Sequence, residues 1–432
     1  WSSDVCSSDL MKTPYTHLNA RMEMDLSTFD ANNPGALYAT VDGYVGKADI
    51  MRFAPTLPAD MRRLWPDRPL TLSGQIRGNM QHAAVRDLDI SLPGAFRLNA
   101  SGTIDHLDNT QLLGANLRLK GRTDNLAFIT STLPASVTQT VSIPQGIDLD
   151  GTLLIDGQRY AADMRVGQGG GTLDADIDFD AAHMRYDADI SARAFPLQHF
   201  LPGMALTPFT GQVKAHGQGT DFFAPQTRLH ADADITALRY GDLNLDGLKA
   251  TAHIDGPKID ADILCRNDML NGTIRVDALR QQRTLDATLV CDLTHADLYR
   301  MKITDEPCTV GGCAYLDLST DLGSRHALHG NVSDLMLSYQ GEDIRMDEVA
   351  LDVDLDHDNT TALIESGDLK LDLRADRAYD KILAQLGRFT DVLATQLKQM
   401  RLDDDELRLA LPDARLQLSS GADNLQIGRA HV

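Results

Sequence analysis

The chain has 432 residues, of which 43% are hydrophobic and only 5% aromatic, and its formal net charge is −22. This length and hydrophobic content allow a large buried surface. A charge this negative repels phosphate backbones, so it argues against nucleic-acid binding and against direct adsorption to anionic lipid headgroups.

The two ends of the sequence differ in character from the rest. Residues 1–10 (WSSDVCSSDL) and 427–432 (IGRAHV) resemble the translation of a sequencing adapter, and such additions are left out of fold reasoning. We therefore expect the natural chain to run from about Met11 to about Gln426 and to be an internal fragment of a longer protein.

Strict alternation of apolar and charged residues dominates the chain up to residue 374. The run Leu173-Asp-Ala-Asp-Ile-Asp-Phe179 shows the pattern most clearly. A period of two places each apolar set on one face of a strand and each charged set on the other. Turns such as Asp156-Gly157, Asp255-Gly256 and Asn271-Gly272 join the strands. The pattern predicts an antiparallel sheet with one dry, apolar face and one wet, charged face.

A longer repeat punctuates the strands. Phe53-Ala-Pro-Thr-Leu-Pro58, a similar motif at 128–134 and Phe200-Leu-Pro202 each precede a new set of strands, and a weaker copy spans 298–307. Degenerate repeats spaced by about 70 residues predict a structure that grows along one axis. We expect repeated sheet modules over 11–374, with breaks near 65, 140, 205 and 305.

The segment 375–402 breaks the strand pattern. Its apolar residues follow helical spacing between Arg377 and Met400, which predicts an amphipathic helix of about six turns. Packing over an open sheet face is the favoured interpretation. Binding to a membrane surface is the alternative, and Asp380 and Asp391 on the polar side weaken it. Residues 403–426 are expected to continue the sheet.

Together these patterns predict a mostly β fold. We expect an elongated, curled antiparallel sheet that forms an open, solenoid-like groove (a β-taco), with short helical punctuation and one C-terminal amphipathic helix.

Motifs that carry chemistry are absent from the sequence, which has no nucleophile elbow, P-loop, dinucleotide fingerprint or HExxH helix. The glycine run 167–171 leads into a strand and is interpreted as a turn. Alternate aspartates at 174–180 and 352–358 point the same way from a strand, about 6 to 7 Å apart. They are interpreted as solvated acidic faces and not as calcium loops. We expect no catalytic residue, no metal and no cofactor.

Four cysteines lie outside the two ends: Cys265, Cys291, Cys308 and Cys313. Plain structural cysteines are the favoured interpretation. A disulfide between Cys308 and Cys313 in an oxidising compartment is the alternative, whereas a zinc half-site lacks a second ligand pair.

The dry face is the candidate functional surface. Alanines among its leucines and isoleucines leave room for an apolar gutter, and strands of this length span about 27 to 33 Å. Each buried methylene contributes about 0.8 kcal/mol, so a gutter can hold a lipid tail without polar contacts. The candidate groove-lining residues are Leu173, Ala175, Ile177, Phe179, Met184, Tyr186, Ala188, Ile190, Leu229, Ala231, Ala233, Ile235, Ile259, Ala261, Ile263, Leu285, Ala287, Leu289, Val349, Leu351, Val353 and Leu355.

These features resemble the large TamB/AsmA-like envelope proteins, in particular the long TamB-type proteins of Bacteroidales. The resemblance rests on the alternating strands, the turns, the FxxxLP punctuation, Gly367-Asp-Leu-Lys-Leu-Asp-Leu373 before the predicted helix, and residues 411–424 after it. It implies a periplasmic protein that is anchored in the inner membrane and carries phospholipid toward the outer membrane. It also implies, as an alternative, assistance to outer-membrane protein assembly beside a BamA-like partner.

Three functions follow from the sequence. The leading one is a segment of a periplasmic bridge that shields or conducts phospholipid acyl chains between the inner and outer membranes. The runner-up is a structural or adhesive β-solenoid, such as a secreted passenger domain, which would show regular coils of about twenty residues where this chain shows hairpin turns. An assembly chaperone that offers a strand edge needs the same exposed apolar sheet and stays open. An enzyme is the least favoured class.

Overall fold

The computed structural model describes residues 4–25, 27–28, 34–107, 109, 112–133, 141–221, 224–281, 284–339, 341–377, 381–382, 392, 415–420 and 423–428. Strands hold 65% of the residues and helices 7%. The chain divides into two compact units. Unit 1 comprises Trp1–Thr220 and Ala231–Gly247, and unit 2 comprises Asp221–His230 and Leu248–Val432.

Unit 1 is an antiparallel sheet in which β1 to β12 pair in chain order. Strand β13 (Arg228–Ala237) is divided between the units, and β14 and β15 form a separate small hairpin. The strands are β1 Asp4–Lys12, β2 His17–Asp25, β3 Leu37–Val45, β4 Leu70–Gly78, β5 His82–Leu92, β6 Phe96–Asp105, β7 Gly114–Thr123, β8 Ile147–Asp156, β9 Arg159–Gln168, β10 Gly171–Asp180, β11 Arg185–Phe195, β12 Phe209–Gln218, β14 Arg239–Tyr240 and β15 Leu243–Asn244.

Unit 2 repeats the same arrangement, and its strands β16 to β26 also pair antiparallel in chain order. The strands are β16 Leu248–Asp255, β17 Lys258–Arg266, β18 Leu270–Gln281, β19 Thr284–Asp297, β20 Cys308–Thr320, β21 His326–Tyr339, β22 Glu342–Leu355, β23 Thr360–Ser366, β24 Leu369–Ala375, β25 Arg415–Ser420 and β26 Asp423–Gly428.

In the described part of unit 1, four short helices follow odd-numbered strands. They are α1 Lys47–Phe53, α2 Ala59–Leu64, α3 Ala127–Thr130 and α4 Leu197–Phe200, inserted after β3, β7 and β11. Because neighbouring strands run in opposite directions, these three strands end on the same side of the sheet. We call this side the helical rim. The opposite side, where β8 turns into β9 and β10 into β11, is the hairpin rim.

Glycines and bulges curl the strands. Gly102 in β6 has φ +147°, and a Cβ there would stand 1.9 Å from the carbonyl oxygen of Asn116. Gly330 in β21 has φ +155°, and its Cβ would stand 2.1 Å from the carbonyl oxygen of Tyr315. Bulges interrupt the register in β5 near Asp87 and in β11 near Ala194, both with positive φ. Such devices bend strands and increase their twist.

The predicted fold class, a mostly β chain with a curled antiparallel sheet and short helical punctuation, is confirmed. The turns at Asp156-Gly157 and Asp255-Gly256 are also confirmed, as is a glycine turn within 167–171, which the structure places at Gly169-Gly170 between β9 and β10. The predicted turn at Asn271-Gly272 is wrong, because both residues lie within β18. The chain turns instead at Asn267, whose side-chain oxygen accepts hydrogen bonds from the amides of Met269 and Leu270.

The two ends and the predicted C-terminal helix stay predictions. Residues 4–10 belong to β1, and residues 427–428 end β26. Most of the predicted helix at 377–400 lies outside the described residues. Of its apolar residues, Ile382 is described, and it is 1% exposed.

Candidate apolar groove

The dry face of unit 1 is built from rows of apolar residues that cross the strands. Cross-strand register places one residue of each strand in line, and glycine and alanine are interspersed among larger apolar residues along the line. One row consists of Val85, Gly102, Leu117, Leu153, Ala162, Ile177, Ala188 and Ala215. At about 4.8 Å between strands, this row extends for roughly 34 Å.

The dry face of unit 2 has the same construction. One row consists of Ala252, Ala261, Val276, Leu289, Leu316, Gly330, Leu351, Ile364 and Leu371. A parallel row two residues along the strands includes Ile259, Ala278, Ala287 and Val353. Each unit thus carries an apolar band that runs at right angles to its strands.

The predicted groove residues lie almost entirely in these bands. Ala287 and Val349 are buried, and Met184 is exposed in the turn before β11, with φ +51°. Every other candidate is half-buried. Most members of each row are half-buried, with Val85, Ala278 and Ala287 fully buried. Most of the apolar face is therefore still accessible, which is the condition a groove must meet.

The structure brings some candidates into direct register and separates others. Those of β10 and β11 pair as Ala175 with Ile190, Ile177 with Ala188 and Phe179 with Tyr186. Those of β17 and β19 are separated by β18, and those of β19 and β22 by β20 and β21. Ala231, Ala233 and Ile235 belong to unit 1, whereas Leu229 belongs to unit 2.

The intervening strands supply groove residues that the sequence pattern did not identify. Val276 of β18, Leu316 and Leu318 of β20 and Leu328 of β21 occupy the dry face between the predicted sets. In β18, apolar residues such as Val276 alternate with polar ones, and this pattern could have predicted the strand's dry face. In β20 it is obscured by Tyr315, which stands on the wet face with 49% exposure.

The helical rim of unit 1 carries a buried aromatic cluster. Trp65 and Phe128 meet edge to face, with ring centroids 4.8 Å apart, and Phe128 packs with Leu92 and Ala95, both fully buried. This cluster joins the end of α2 to α3. It fills the space beside the strand ends with side chains.

A second aromatic cluster lies further along the same rim. Phe195 at the end of β11 stacks on Phe200 of α4 at 5.0 Å. Phe209 at the start of β12 is 6% exposed. Aromatic packing therefore fills the helical rim beside the ends of both β7 and β11.

In unit 2, Ile382 covers part of the dry face. It is buried together with Leu373 and Ala375 of β24, and Ala362 of β23 packs against this group. The segment after β24 therefore contacts the apolar face at this point, which agrees with packing over the sheet, the favoured interpretation of the predicted helix.

The wet face of unit 1 is stabilised by ion pairs between strands. Arg159 contacts Asp178 at 2.5 Å, and the hydrogen bond lowers the pKa of the Asp178 carboxyl. Lys214 contacts Asp189 at 2.6 Å, which lowers the pKa of Asp189 and raises that of the lysine. These pairs show that the aspartate ladder faces basic residues of neighbouring strands.

On the wet face of unit 2, register brings together residues that are far apart in sequence. His329 Nδ1 lies 3.2 Å from Asp352 and its Nε2 lies 3.9 Å from Asp354. These groups have the donor types of a divalent metal site. All three side chains are exposed, and an exposed histidine–aspartate pairing accounts for the arrangement without an ion.

The cysteine alternatives can now be separated. Cys308 and Cys313 both lie in the extended strand β20, so their Cα atoms are about 16 Å apart. A disulfide needs less than about 7 Å. The loop disulfide is therefore wrong for this fold, and both cysteines are free, as are Cys265 and Cys291.

Within the described residues, no helix has both the length and the apolar character needed to cross a bilayer. Comparison of the chain with protein-family models, with curated proteins and with solved structures found no match.

Proposed function

We propose that this chain is a segment of a lipid-handling protein that shields phospholipid acyl chains along its dry faces. The observation that carries the proposal is the set of in-register apolar rows whose members are half-buried across successive strands. A folded core would bury these residues fully, whereas an acyl chain would complete their burial. At about 0.8 kcal/mol per methylene, even partial coverage of a tail gives useful affinity.

The shape of the rows suits a chain-like ligand. Ala175 and Gly102 stand between larger residues along the rows, and Ala188 and Ala215 are neighbouring small residues beside Ile177. The band therefore has lateral space without a deep, closed pocket. A ligand held in this way is recognised by its length and apolarity, so the same surface accepts tails of different structure.

The cellular setting of the proposal comes from the resemblance to TamB/AsmA-like proteins. In that setting the parent protein is anchored in the inner membrane, spans the periplasm and carries phospholipid between the inner and outer membranes, with a BamA-like protein as a possible partner. The chain's own part in this process is binding and shielding, without catalysis.

Native mass spectrometry with lipid extraction tests the proposal on chain purified from a Gram-negative periplasm. The variant Ile177→Asp/Ile235→Asp places two charges on the dry face of unit 1 and should lose co-purified phospholipid. The matched control Thr172→Asp/Thr236→Asp adds the same charges at exposed positions of the same two strands and should retain it.

Circular dichroism establishes that both variants are folded. Folded wild-type chain without bound lipid, which also fails to take up phospholipid from vesicles, would refute shielding of acyl chains. Equal loss of lipid in both variants would show that the dry face is not the binding surface.

A further inference from the structure

Two tyrosines stand on the dry face at the hairpin rim of unit 1. Tyr160 of β9, Phe179 of β10 and Tyr186 of β11 are direct cross-strand partners. They form the last apolar row before the turns that join β8 to β9 and β10 to β11. This rim lies at the opposite ends of the strands from the aromatic clusters of the helical rim.

The phenol hydroxyls are available to a ligand. In the part of the chain that the structure describes, neither hydroxyl has a hydrogen-bond partner in the protein. Tyr160 is 43% exposed. Tyr186 is half-buried, and desolvation raises its pKa, so it stays a neutral hydroxyl donor. Tyr160 is an exposed residue, and the Tyr186 hydroxyl is not among the buried unpartnered polar atoms of the described residues. Both hydroxyls can therefore donate to a bound acceptor in place of water.

An apolar strip leads away from these hydroxyls along the direction of the strands. It passes from Phe179 through Ile177 and Ala175 to Leu173, and each has apolar cross-strand partners in β9 and β11. The six residue-to-residue steps from Leu173 to Phe179 extend for about 20 Å. The strip offers a long apolar surface with hydrogen-bond donors at one end, which matches a hydrocarbon tail with an acceptor at its head.

The charge of the rim selects among such ligands. Arg159 and Arg185 are already paired with Asp178 and Asp180, and Asp156 adds a further carboxylate. This surplus of negative charge repels the carboxylate of a free fatty acid. A neutral ester carbonyl accepts a hydrogen bond without this repulsion.

Resting on the proposed function, we infer that Tyr160 and Tyr186 donate hydrogen bonds to the ester carbonyl oxygens of a zwitterionic diacyl phospholipid. Its acyl chain lies on the strip toward Leu173, and its headgroup stands in solvent beyond the hairpin rim. Aromatic clusters fill the helical rim beside β7 and β11, so lipid enters and leaves over the hairpin rim.

Matched ester- and ether-linked phosphatidylethanolamines test this inference, because the ether form has the same tails and headgroup but lacks the carbonyl oxygens. Wild-type chain should bind the ester form about tenfold more tightly, as expected for two hydrogen bonds of ordinary strength. Tyr160→Phe/Tyr186→Phe should bind both forms equally and retain its affinity for diphenylhexatriene, a pure hydrocarbon probe.

The control Tyr44→Phe/Tyr315→Phe removes two hydroxyls from exposed wet-face tyrosines and should keep the ester preference. Equal affinity of the wild type for ester and ether lipid, with diphenylhexatriene still bound, would overturn the tyrosine assignment and leave the groove intact. Binding of neither lipid nor hydrocarbon probe would overturn both proposals.

Discussion

Substituting alanine for Gly102 tests whether the curl of unit 1 depends on a missing side chain. The new Cβ would stand 1.9 Å from the carbonyl oxygen of Asn116 and 3.0 Å from the Cα of Leu117. Backbone must therefore move, and φ +147° is itself costly for an L-residue, at about 1 to 3 kcal/mol. With the steric clash added, we expect a loss of roughly 2 to 4 kcal/mol in the free energy of unfolding.

Gly167→Ala is the matched control. Gly167 also lies within a strand of unit 1, and its nearest contact to an added Cβ is at 3.8 Å. The same substitution there should change stability by less than about 1 kcal/mol. Urea unfolding followed by circular dichroism measures both variants, and Gly102→Ala should lower the midpoint by roughly 1 M. Equal midpoints for the two variants would refute the steric argument.

Three further predictions concern stability and the thiols. Because ion pairing depresses the folded-state pKa of Asp178 below 3.8, its stabilisation is complete above about pH 4 and is lost as the pH falls through the folded value. Urea midpoints at pH 6 and pH 3 should therefore differ less in Asp178→Asn than in the wild type, and an unchanged difference would contradict this. Phe128→Ala should cost about 3 kcal/mol, whereas its exposed neighbour Ile129→Ala should stay within about 0.5 kcal/mol; equal losses in thermal unfolding would refute the buried cluster. Mild oxidation of folded chain should leave Cys308 and Cys313 unlinked to each other, and a peptide lighter by two hydrogens that contains both would contradict the strand geometry of β20.

Most strand positions could be predicted from the sequence, because alternating apolar and charged residues indicate a strand with one buried face and one solvent-facing face. The alternating residues of β10, β11 and β17 are examples of strands that were predicted in this way. The pattern was weaker where apolar residues stand on both faces. Tyr315 is exposed on the wet face of β20 and hides the alternation of that strand, whereas the alternation of β19 was recognised despite the exposed Val290 on its wet face. Tyr160 was missed for a related reason, since Ala161 follows it on the wet face in place of a charged residue.

Features that depend on register could not be predicted from linear spacing. His329 meets Asp352 only because β21 and β22 pair antiparallel through a short turn. The turn at Asn271-Gly272 was assigned from a dipeptide that also suits a bulge, and the structure uses it as a bulge within β18. The sequence does not distinguish Gly102 from other strand glycines. Its constraint comes from the carbonyl oxygen of Asn116 on the paired strand, whose position depends on register.

The helices in the described part of unit 1 follow β3, β7 and β11, and this placement has a consequence for how such a chain can lengthen. An antiparallel strand reverses the chain, so a block with an even number of strands returns it to the side from which it started. Duplication of a four-strand block therefore adds length while the aromatic-packed edge stays on one side and the tyrosine edge on the other. A duplication of three or five strands would exchange the two edges midway. Duplication in blocks with an even number of strands would therefore keep the helical rim and the hairpin rim continuous along the lengthened sheet.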